Sequence, residues 1–190
     1  MNSTNDIIVE ITQQLSVQRK EHSMSTSDYA QFLAQHYHQQ CKHLSSQDIL
    51  HVSLFHDICR EWEYSRLIEY IYTHHVEVQE EEKMFPVLLH APVAAHMMDS
   101  FELLHKESMV LAVRWHSIGS INMGLLGALL FCADYMEYKR SYMSDEKRAD
   151  LLTSSSLEEL ARRVLLHHIE HMKMEGRKVA TSTQSLYTFL

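Results

Sequence analysis

A histidine and an aspartate stand side by side in an otherwise apolar stretch of the chain. His56 and Asp57 lie in the run Leu54–Arg60, at the end of a predicted helix. Burying an ionised carboxylate is costly unless a cation or hydrogen-bond donors compensate it. Imidazole nitrogen and carboxylate oxygen together form a donor set suited to iron, manganese or zinc. The pair therefore indicates a metal site. The alternative is that both side chains only cap the helix end or face solvent.

Three further histidines and one further acid have a comparable setting. His22, His90 and His116 are predicted at the starts or ends of helices. Asp134 lies within the almost wholly apolar run Leu129–Tyr135, where its charge needs a partner. Together with the first pair, these side chains supply enough ligands for one or two divalent metal ions.

Most of the 15 histidines lie outside this group. His36 and His38 compete with His22 for a ligand position, because the segment around His22 is polar. His167 and His171 are four residues apart on a predicted helix, a spacing that can bind a metal ion. The surrounding sequence favours a solvated histidine-rich face there instead.

Two aromatic residues stand next to the candidate ligands. Trp115 precedes His116, and Tyr135 follows Asp134. Flat aromatic side chains can line a nucleobase pocket, but their helical spacing fits core packing equally well. The sequence leaves both interpretations open.

The composition predicts that helices position these residues. The 190 residues include only 4 Gly and 2 Pro, too few for the many tight turns of a β-sandwich or a doubly wound sheet. Apolar residues make up 45% and charged residues 22%, which is typical of a globular chain and not of a disordered one. We therefore expect an all-α fold, a compact helical bundle, with residues 1–190 forming a single domain.

Apolar residues recur at helical spacing along most of the chain. The predicted helices cover Ile7–Leu15, a segment from near Glu21 to Tyr37, Ile49–Ile58, Leu67–Ile71, Glu80–Leu89 with a break near Pro86, Pro92–Met98, Met109–Arg114, Asn122–Glu137, Leu157–Met174 and Thr183–Leu190. Ser46 or Asp48 is the expected cap of the third helix, and Asn122 that of the helix with Asp134. Gly176 is the expected stop of the Leu157 helix.

Charge and cysteine content restrict the partners and the compartment. A formal net charge of −8 argues against a nucleic-acid polymer as partner, because neutralising phosphates needs clustered Lys and Arg. Cys41, Cys59 and Cys132 form no CxxC pair, which favours a reducing cytoplasm. The start of the sequence lacks the features of a signal peptide. The apolar run Leu125–Ala133 is about half the length of a membrane span, so a buried helix and no membrane partner are expected.

Five segments, in this order, resemble the HD-domain metal-dependent phosphohydrolases, and within them the YqeK-type branch of symmetrical bis(5′-nucleosyl)-tetraphosphatases. These segments are Phe55–Glu61, Leu89–Ala95, Trp115–Met123, Ala133–Arg140 and Gly176–Thr183. The resemblance extends from about Arg19 to the C-terminus. It implies an HD-domain helical fold and metal-assisted hydrolysis of a phosphoanhydride, with diadenosine tetraphosphate cut symmetrically to two ADP.

The resemblance also implies a ligand set. The metal ligands it implies are His22, His56, Asp57, His90, His116 and Asp134. His90 and His116 would either hold a second ion or face the substrate phosphates. Iron is the metal that the family favours, and manganese, cobalt or zinc fit the same donors.

The remaining implied roles concern water and substrate. Asp57 would orient the attacking water or accept its proton. Arg60 and Arg140 would contact phosphate and neutralise its charge. Ser117 and Thr183 fall where the family has residues close to the nucleotide.

The sequence departs from the family pattern around the substrate and not in the metal set. Ile118 replaces a second hydroxyl residue, Gly127 and Ala128 replace a Glu-Lys pair, and Ala180 replaces the histidine of an Ile-His-Pro tail. A nucleotide or dinucleoside polyphosphate remains the expected substrate class. Two alternatives stay open: a phosphohydrolase acting on another nucleotide, and an HD domain that binds nucleotide without turnover. A homodimer is compatible with the sequence, which does not separate an interface from a core stripe.

Overall fold

Helices form all the regular structure in residues 10, 12–101, 104–174, 176 and 178–190, the part of the chain that the computed structural model describes. The α-helices in these ranges are α1 (Val17–His36), α2 (His38–Cys41), α3 (Ser46–Phe55), α4 (Tyr64–His74), α5 (Glu80–Met84), α6 (His90–Ser100), α7 (Glu107–Trp115), α8 (Gly124–Met136), α9 (Asp145–Leu151), α10 (Leu157–Met174) and α11 (Thr181–Phe189). A 3₁₀ turn, Pro86–Leu89, connects α5 to α6. The prediction of an all-α fold is confirmed.

Helix α8 is the centre of the bundle. Its sequence is apolar on nearly every face, and a helix of this kind is stable only when surrounded by other helices. It packs against α1, α7 and α10, and also contacts α3. Most of its residues, including Leu129, Leu130 and Cys132, are fully buried. The buried helix predicted over Leu125–Ala133 is therefore confirmed.

The other large contacts pair α1 with α3 and α6 with α7. Helices α1, α3 and α7, which carry candidate ligands or end beside them, thus pack against α8. None of the described helices is long and apolar enough to cross a membrane. The three cysteines are free and buried.

Several predicted helix starts are wrong by a few residues. Helix α1 begins at Val17 and not near Glu21, because Ser16 caps it by accepting a hydrogen bond from the Arg19 N–H. Ser45, and not Ser46 or Asp48, caps α3. Short polar residues cluster at each boundary, so pattern alone does not select the one with cap geometry.

The segment around Asn122 also differs from the prediction. Asn122 does not cap α8, which begins at Gly124 after Met123. Helix α9 was not predicted, although Ser144 caps it and acidic residues fill its first turn. Residues 7–9 and 11 of the predicted helix Ile7–Leu15 lie outside the described residues, and residues 10, 12 and 13 are helical. The predicted stop at Gly176 is confirmed by its positive φ of 67° just beyond α10.

Gly127 explains how α8 lies so close to its neighbour. A Cβ atom at this position would lie 2.6 Å from the Cβ of Met123 and 3.3 Å from the Cα of Ala112 in α7. The missing side chain therefore permits close approach of the two helix backbones. This packing gives a physical reason for a glycine at position 127.

Candidate metal centre

The structure brings the predicted ligands together at one end of the bundle. Two overlapping groups have potential ligand atoms within 4.8 Å of one another. The first group is His22, His56 and Asp134, and the second is His56, Asp57 and His116. His90 adjoins the second group, with its Nε2 atom 3.1 Å from Asp57 Oδ1. Neither His36 nor His38 belongs to either group, so His22 occupies the position for which they competed.

Three of the four histidines share one local arrangement at a helix boundary. His56 and His116 follow the last residues of α3 and α7, and His90 begins α6 directly after the 3₁₀ turn. Each ring donates its Nδ1–H to the carbonyl three residues earlier, at 2.7 Å for His56, 2.6 Å for His90 and 2.7 Å for His116. The last carbonyls of a helix have no partner in its own ladder, so a ring at the helix boundary can bond such a carbonyl locally. The bond orients each ring so that Nε2 is directed at the centre.

His22 directs its Nε2 at the centre by a different route. The structure places it inside α1 and not at a helix start, where the sequence predicted it. Its Nδ1 lies 3.1 Å from Glu137 Oε1. A carboxylate on the far nitrogen of a histidine fixes the tautomer and makes the near nitrogen a better ligand.

The four Nε2 atoms meet in two pairs. His22 Nε2 lies 3.3 Å from His56 Nε2, and His90 Nε2 lies 3.1 Å from His116 Nε2. Nitrogen atoms at these separations face each other favourably only when a proton or a cation lies between or beside them.

Asp57 lies between the two histidine pairs. Its Oδ2 atom is 3.5 Å from His22 Nε2 and 3.6 Å from His56 Nε2. Its Oδ1 atom is 3.1 Å from His90 Nε2 and 3.6 Å from His116 Nε2. One carboxylate thus presents one oxygen to each pair. Burial alone would raise the pKa of Asp57, but the histidines, His56 foremost, hold it well below its usual range.

Asp134 completes the first group from the last turn of α8. Its Oδ1 atom is 3.0 Å from His22 Nε2 and 3.7 Å from His56 Nε2. Burial acts to raise its pKa, but the neighbouring guanidinium of Arg140 outweighs this and holds the pKa well below the usual range. Both aspartates are therefore ionised at neutral pH.

The donor set fits a divalent metal ion. Four imidazole nitrogens and two ionised carboxylates converge, a combination that suits first-row transition metals. Burial lowers the pKa of His22, but hydrogen bonds to Asp134 and Glu137 outweigh it and raise the pKa to about 9. Positive charge is thus favoured at this point. The C-terminal ends of α3 and α7 also point their negative dipole ends at the centre, which favours a cation further.

Three arginines surround the centre, of which sequence reasoning identified two. Arg140 binds Asp134 through its side chain and donates to the Asp134 carbonyl at 2.8 Å. Arg60 donates to the Val87 carbonyl at 3.3 Å. Arg19 forms an ion pair with Asp57 and was not singled out from the sequence. Its position one turn before His22 on α1 is the signal that could have identified it.

These arginines line a cleft of about 220 Å³ above the ligands, which we call the site cleft. Ser117 also lines it, with its hydroxyl 3.2 Å from His90 Nε2 and 3.1 Å from His116 Nε2. A polar cleft with cations at its rim and ligands at its floor is suited to an anionic group such as phosphate.

Thr183 lies beside this region and points at the backbone. Its buried hydroxyl donates to the carbonyl of Ile118, which ties α11 to the turn that follows His116. Gly119, in the same turn, has a φ of 69° and leaves room for Leu186 of α11. A contact between Thr183 and substrate stays a prediction.

The histidine-rich face of α10 is partly solvated: His171 is exposed, and His167 and His168 are half-buried. His167, His168 and His171 line a second pocket, which adjoins the site cleft at Asp134. Their spacing places these histidines on one face of the helix. It does not predict that Tyr142, from a segment distant in sequence, lines the same pocket.

Glu137 was also assigned no role from the sequence, although it belongs to one of the segments that carry the resemblance.

Comparison with known proteins supports the same fold. The chain superimposes over its full length on a crystal structure described as a predicted HD-superfamily hydrolase involved in NAD metabolism, from Clostridium acetobutylicum. The TM-score is 0.84, with 21% sequence identity, and 97% of that chain is covered. At this identity the match establishes the fold.

A sequence match points to a more specific relative. Over 60 residues the chain is 38% identical to an enzyme called symmetrical bis(5′-nucleosyl)-tetraphosphatase, from Halalkalibacterium halodurans. The matched region is 32% of this chain and 32% of that enzyme, so less than two thirds of the relative is spanned. No family model matches the chain. The chain therefore has the fold of the HD-superfamily hydrolases, and part of it resembles a symmetrical bis(5′-nucleosyl)-tetraphosphatase.

Proposed function

We propose that this protein is a metal-dependent phosphohydrolase that cleaves a phosphoanhydride of a nucleotide, with diadenosine tetraphosphate cut symmetrically to two ADP. The observation that carries the proposal is the direction of the four histidines. Each donates its Nδ1–H outward and turns Nε2 toward two ionised aspartates. The tetraphosphatase relative and the cationic site cleft support nucleotide polyphosphate as the substrate class.

The ligands fall into two sets, and Asp57 faces the histidines of both. His22, His56 and Asp134 would hold one ion, and His90 and His116 would hold a second ion or face the phosphates. Bound there, a divalent ion supplies Lewis-acid stabilisation of charge on the phosphoryl oxygens. Iron is the metal we favour from the family resemblance, while manganese, cobalt and zinc accept the same mixed donors.

The chain's own residues then orient the reactants. Asp57 is buried and ionised, so it is suited to orient a water molecule or accept its proton. Arg60 and Arg140 neutralise charge as it develops on the transferred group. Arg19, which lines the same cleft, adds a third guanidinium to this role. The net charge of −8 does not oppose anion binding, because local cations determine the field inside a cleft.

The first experiment measures products directly. The protein is purified anaerobically, its metal content is measured, and it is incubated with diadenosine tetraphosphate before chromatographic separation. We expect ADP as the sole product, and loss of turnover in Asp57→Ala. Asp28→Ala, on the exposed side of α1, is the matched control and should retain activity.

Other product patterns would reject parts of the proposal. AMP and ATP as products would exclude symmetrical cleavage and retain a phosphohydrolase. An absence of turnover with a metal-loaded protein would reject the tetraphosphatase assignment. A panel of nucleotides would then test the two alternatives: hydrolysis of another nucleotide, or nucleotide binding without any hydrolysis.

A further inference from the structure

A second pocket opens beside the site cleft and is larger than it. Its volume is about 550 Å³, against about 220 Å³ for the cleft. The two share His116, Ser117 and Asp134 as common wall. A ligand whose phosphates lie in the cleft can therefore extend into this pocket without leaving the protein surface. We call it the aromatic pocket.

Aromatic rings from α8 and the following segment form one side of the aromatic pocket. Phe131, Tyr135 and Tyr142 line it, and the Tyr135 and Tyr142 ring centroids are 5.4 Å apart at 51°. The Tyr142 hydroxyl donates to the Tyr135 carbonyl at 3.1 Å, which fixes the orientation of the exposed ring. Preoriented flat rings of this kind bind planar heterocycles by stacking.

Tyr142 also connects the pocket to the phosphate-binding side. The guanidinium carbon of Arg140 lies 5.9 Å from the centre of the Tyr142 ring. Arg140 in turn binds Asp134 at the edge of the metal centre. The stacking surface and the cationic cleft are therefore neighbours through a single pair of side chains.

The histidine-bearing face of α10 also lines the pocket. His167, His168 and His171 line it, and Lys147 and Glu170 bring charges of opposite sign. Burial, helped by His171, lowers the pKa of His168, so this ring is neutral at pH 7. A neutral imidazole donates one hydrogen bond and accepts another, so it can pair with the donors and acceptors on the edge of a nucleobase. This wall offers less positive charge than the site cleft with its three arginines, so it is less suited to phosphate.

We propose that the aromatic pocket binds one nucleoside of the substrate, and that the histidine face of α10 determines which base is accepted. The inference rests on the proposed function, because it assigns the phosphates to the adjoining cleft. Of the two aromatic residues considered from the sequence, Tyr135 lines this pocket. Trp115 packs against the core instead.

The test separates nucleoside binding from phosphate binding. Affinities of the metal-loaded protein for ADP, GDP and inorganic pyrophosphate are measured by calorimetry. In Tyr142→Leu we expect the preferred nucleoside diphosphate to bind about tenfold more weakly, with pyrophosphate affinity unchanged. Tyr142→Phe keeps the ring and should lose little. Tyr72→Leu, on the exposed face of α4, is the matched control.

His168→Ala and His168→Gln test the second wall and should change the ratio of ADP to GDP affinity. Equal losses for nucleotide and pyrophosphate would assign the pocket to phosphate and overturn the inference. Nucleotide binding no tighter than pyrophosphate in the unmodified protein would overturn it as well, as would unchanged affinities in Tyr142→Leu and both His168 variants. If the unmodified protein shows no turnover but the pocket variants still lose nucleotide affinity, the proposed function is rejected. The assignment of the aromatic pocket to a nucleoside is then retained.

Discussion

His22 Nδ1 lies 3.1 Å from Glu137 Oε1, although 115 residues separate the two in the chain. Glu137 is almost completely buried, and it also accepts hydrogen bonds from the Ser25 hydroxyl and the Lys139 backbone N–H. Arg148 holds the adjoining backbone by donating to the Glu137 carbonyl at 2.8 Å. Glu137 is therefore rigid, and it fixes the ring orientation and the tautomer of His22.

Removing this carboxylate is expected to weaken metal binding without removing a ligand. In Glu137→Ala the affinity for a divalent ion should fall about 10- to 100-fold, because an unsupported histidine is a poorer and less ordered ligand. Glu137→Gln should lose less, since its amide oxygen still accepts the Nδ1–H. Competition with a chromophoric chelator measures both. Glu69→Ala, on the exposed side of α4, serves as control, and equal affinities in all variants would contradict the role of Glu137.

The two aspartates are expected to differ in how many ions depend on them. Asp57 faces both histidine pairs, whereas Asp134 faces only His22 and His56. Asp57→Asn should therefore lose all bound metal, and Asp134→Asn should retain the ion near His90 and His116. Metal content after anaerobic purification decides this. A single ion in the unmodified protein, or equal losses in both variants, would reject two separate ion positions.

Gly127→Ala is expected to destabilise the fold, although alanine is the better helix former. Its new methyl group would lie 2.6 Å from the Met123 Cβ. Overpacking costs about 1–3 kcal/mol and the gain in helix propensity is about 1 kcal/mol, so the free energy of unfolding should fall by about 1 kcal/mol. Urea denaturation measures it, with Ser108→Ala on the exposed side of α7 as control. A more stable variant would mean that α7 and α8 adjust without strain.

A buried ion pair links α5 to the end of α7. Arg114 Nη1 lies 2.5 Å from Glu82 Oε1 and Nη2 lies 2.9 Å from Oε2, and only 1% of Glu82 is exposed. Glu82→Leu should lower the free energy of unfolding by about 3–5 kcal/mol, because it leaves a largely buried guanidinium without its partner. Glu82→Leu combined with Arg114→Leu should recover part of that loss. Additive losses in the double variant would show that the pair itself contributes little.

Local pattern was sufficient for most helices of this chain. The apolar stripe of α10 has a helical period, and the apolar run of α8 is longer than a buried strand, so their type and approximate extent were predictable. The exact starts were not, because several short polar residues such as Ser45, Ser46 and Asp48 could each cap α3. Helix α9 is too short for its period to exceed chance, and only its capping serine and acidic first turn mark it.

The site was predictable where the chemistry of a residue conflicts with its surroundings. A histidine next to an aspartate in an apolar run, and Asp134 in another, already require a partner, because a buried charge cannot remain uncompensated. The ring orientations of His56, His90 and His116 are also local, since each bonds a carbonyl three residues earlier. The sequence alone thus determined the helical class and the types of side chain available to a metal ion.

Only the tertiary structure decided how these residues are combined. Arg19 pairs with Asp57, Glu137 contacts His22, and the histidines of α10 line one pocket with Tyr142. Such contacts depend on how the helices cross, which small packing features such as Gly127 control and which helical periodicity does not encode. The sequence specifies which groups need partners, but packing of the helices selects the partners and shapes the cleft between them.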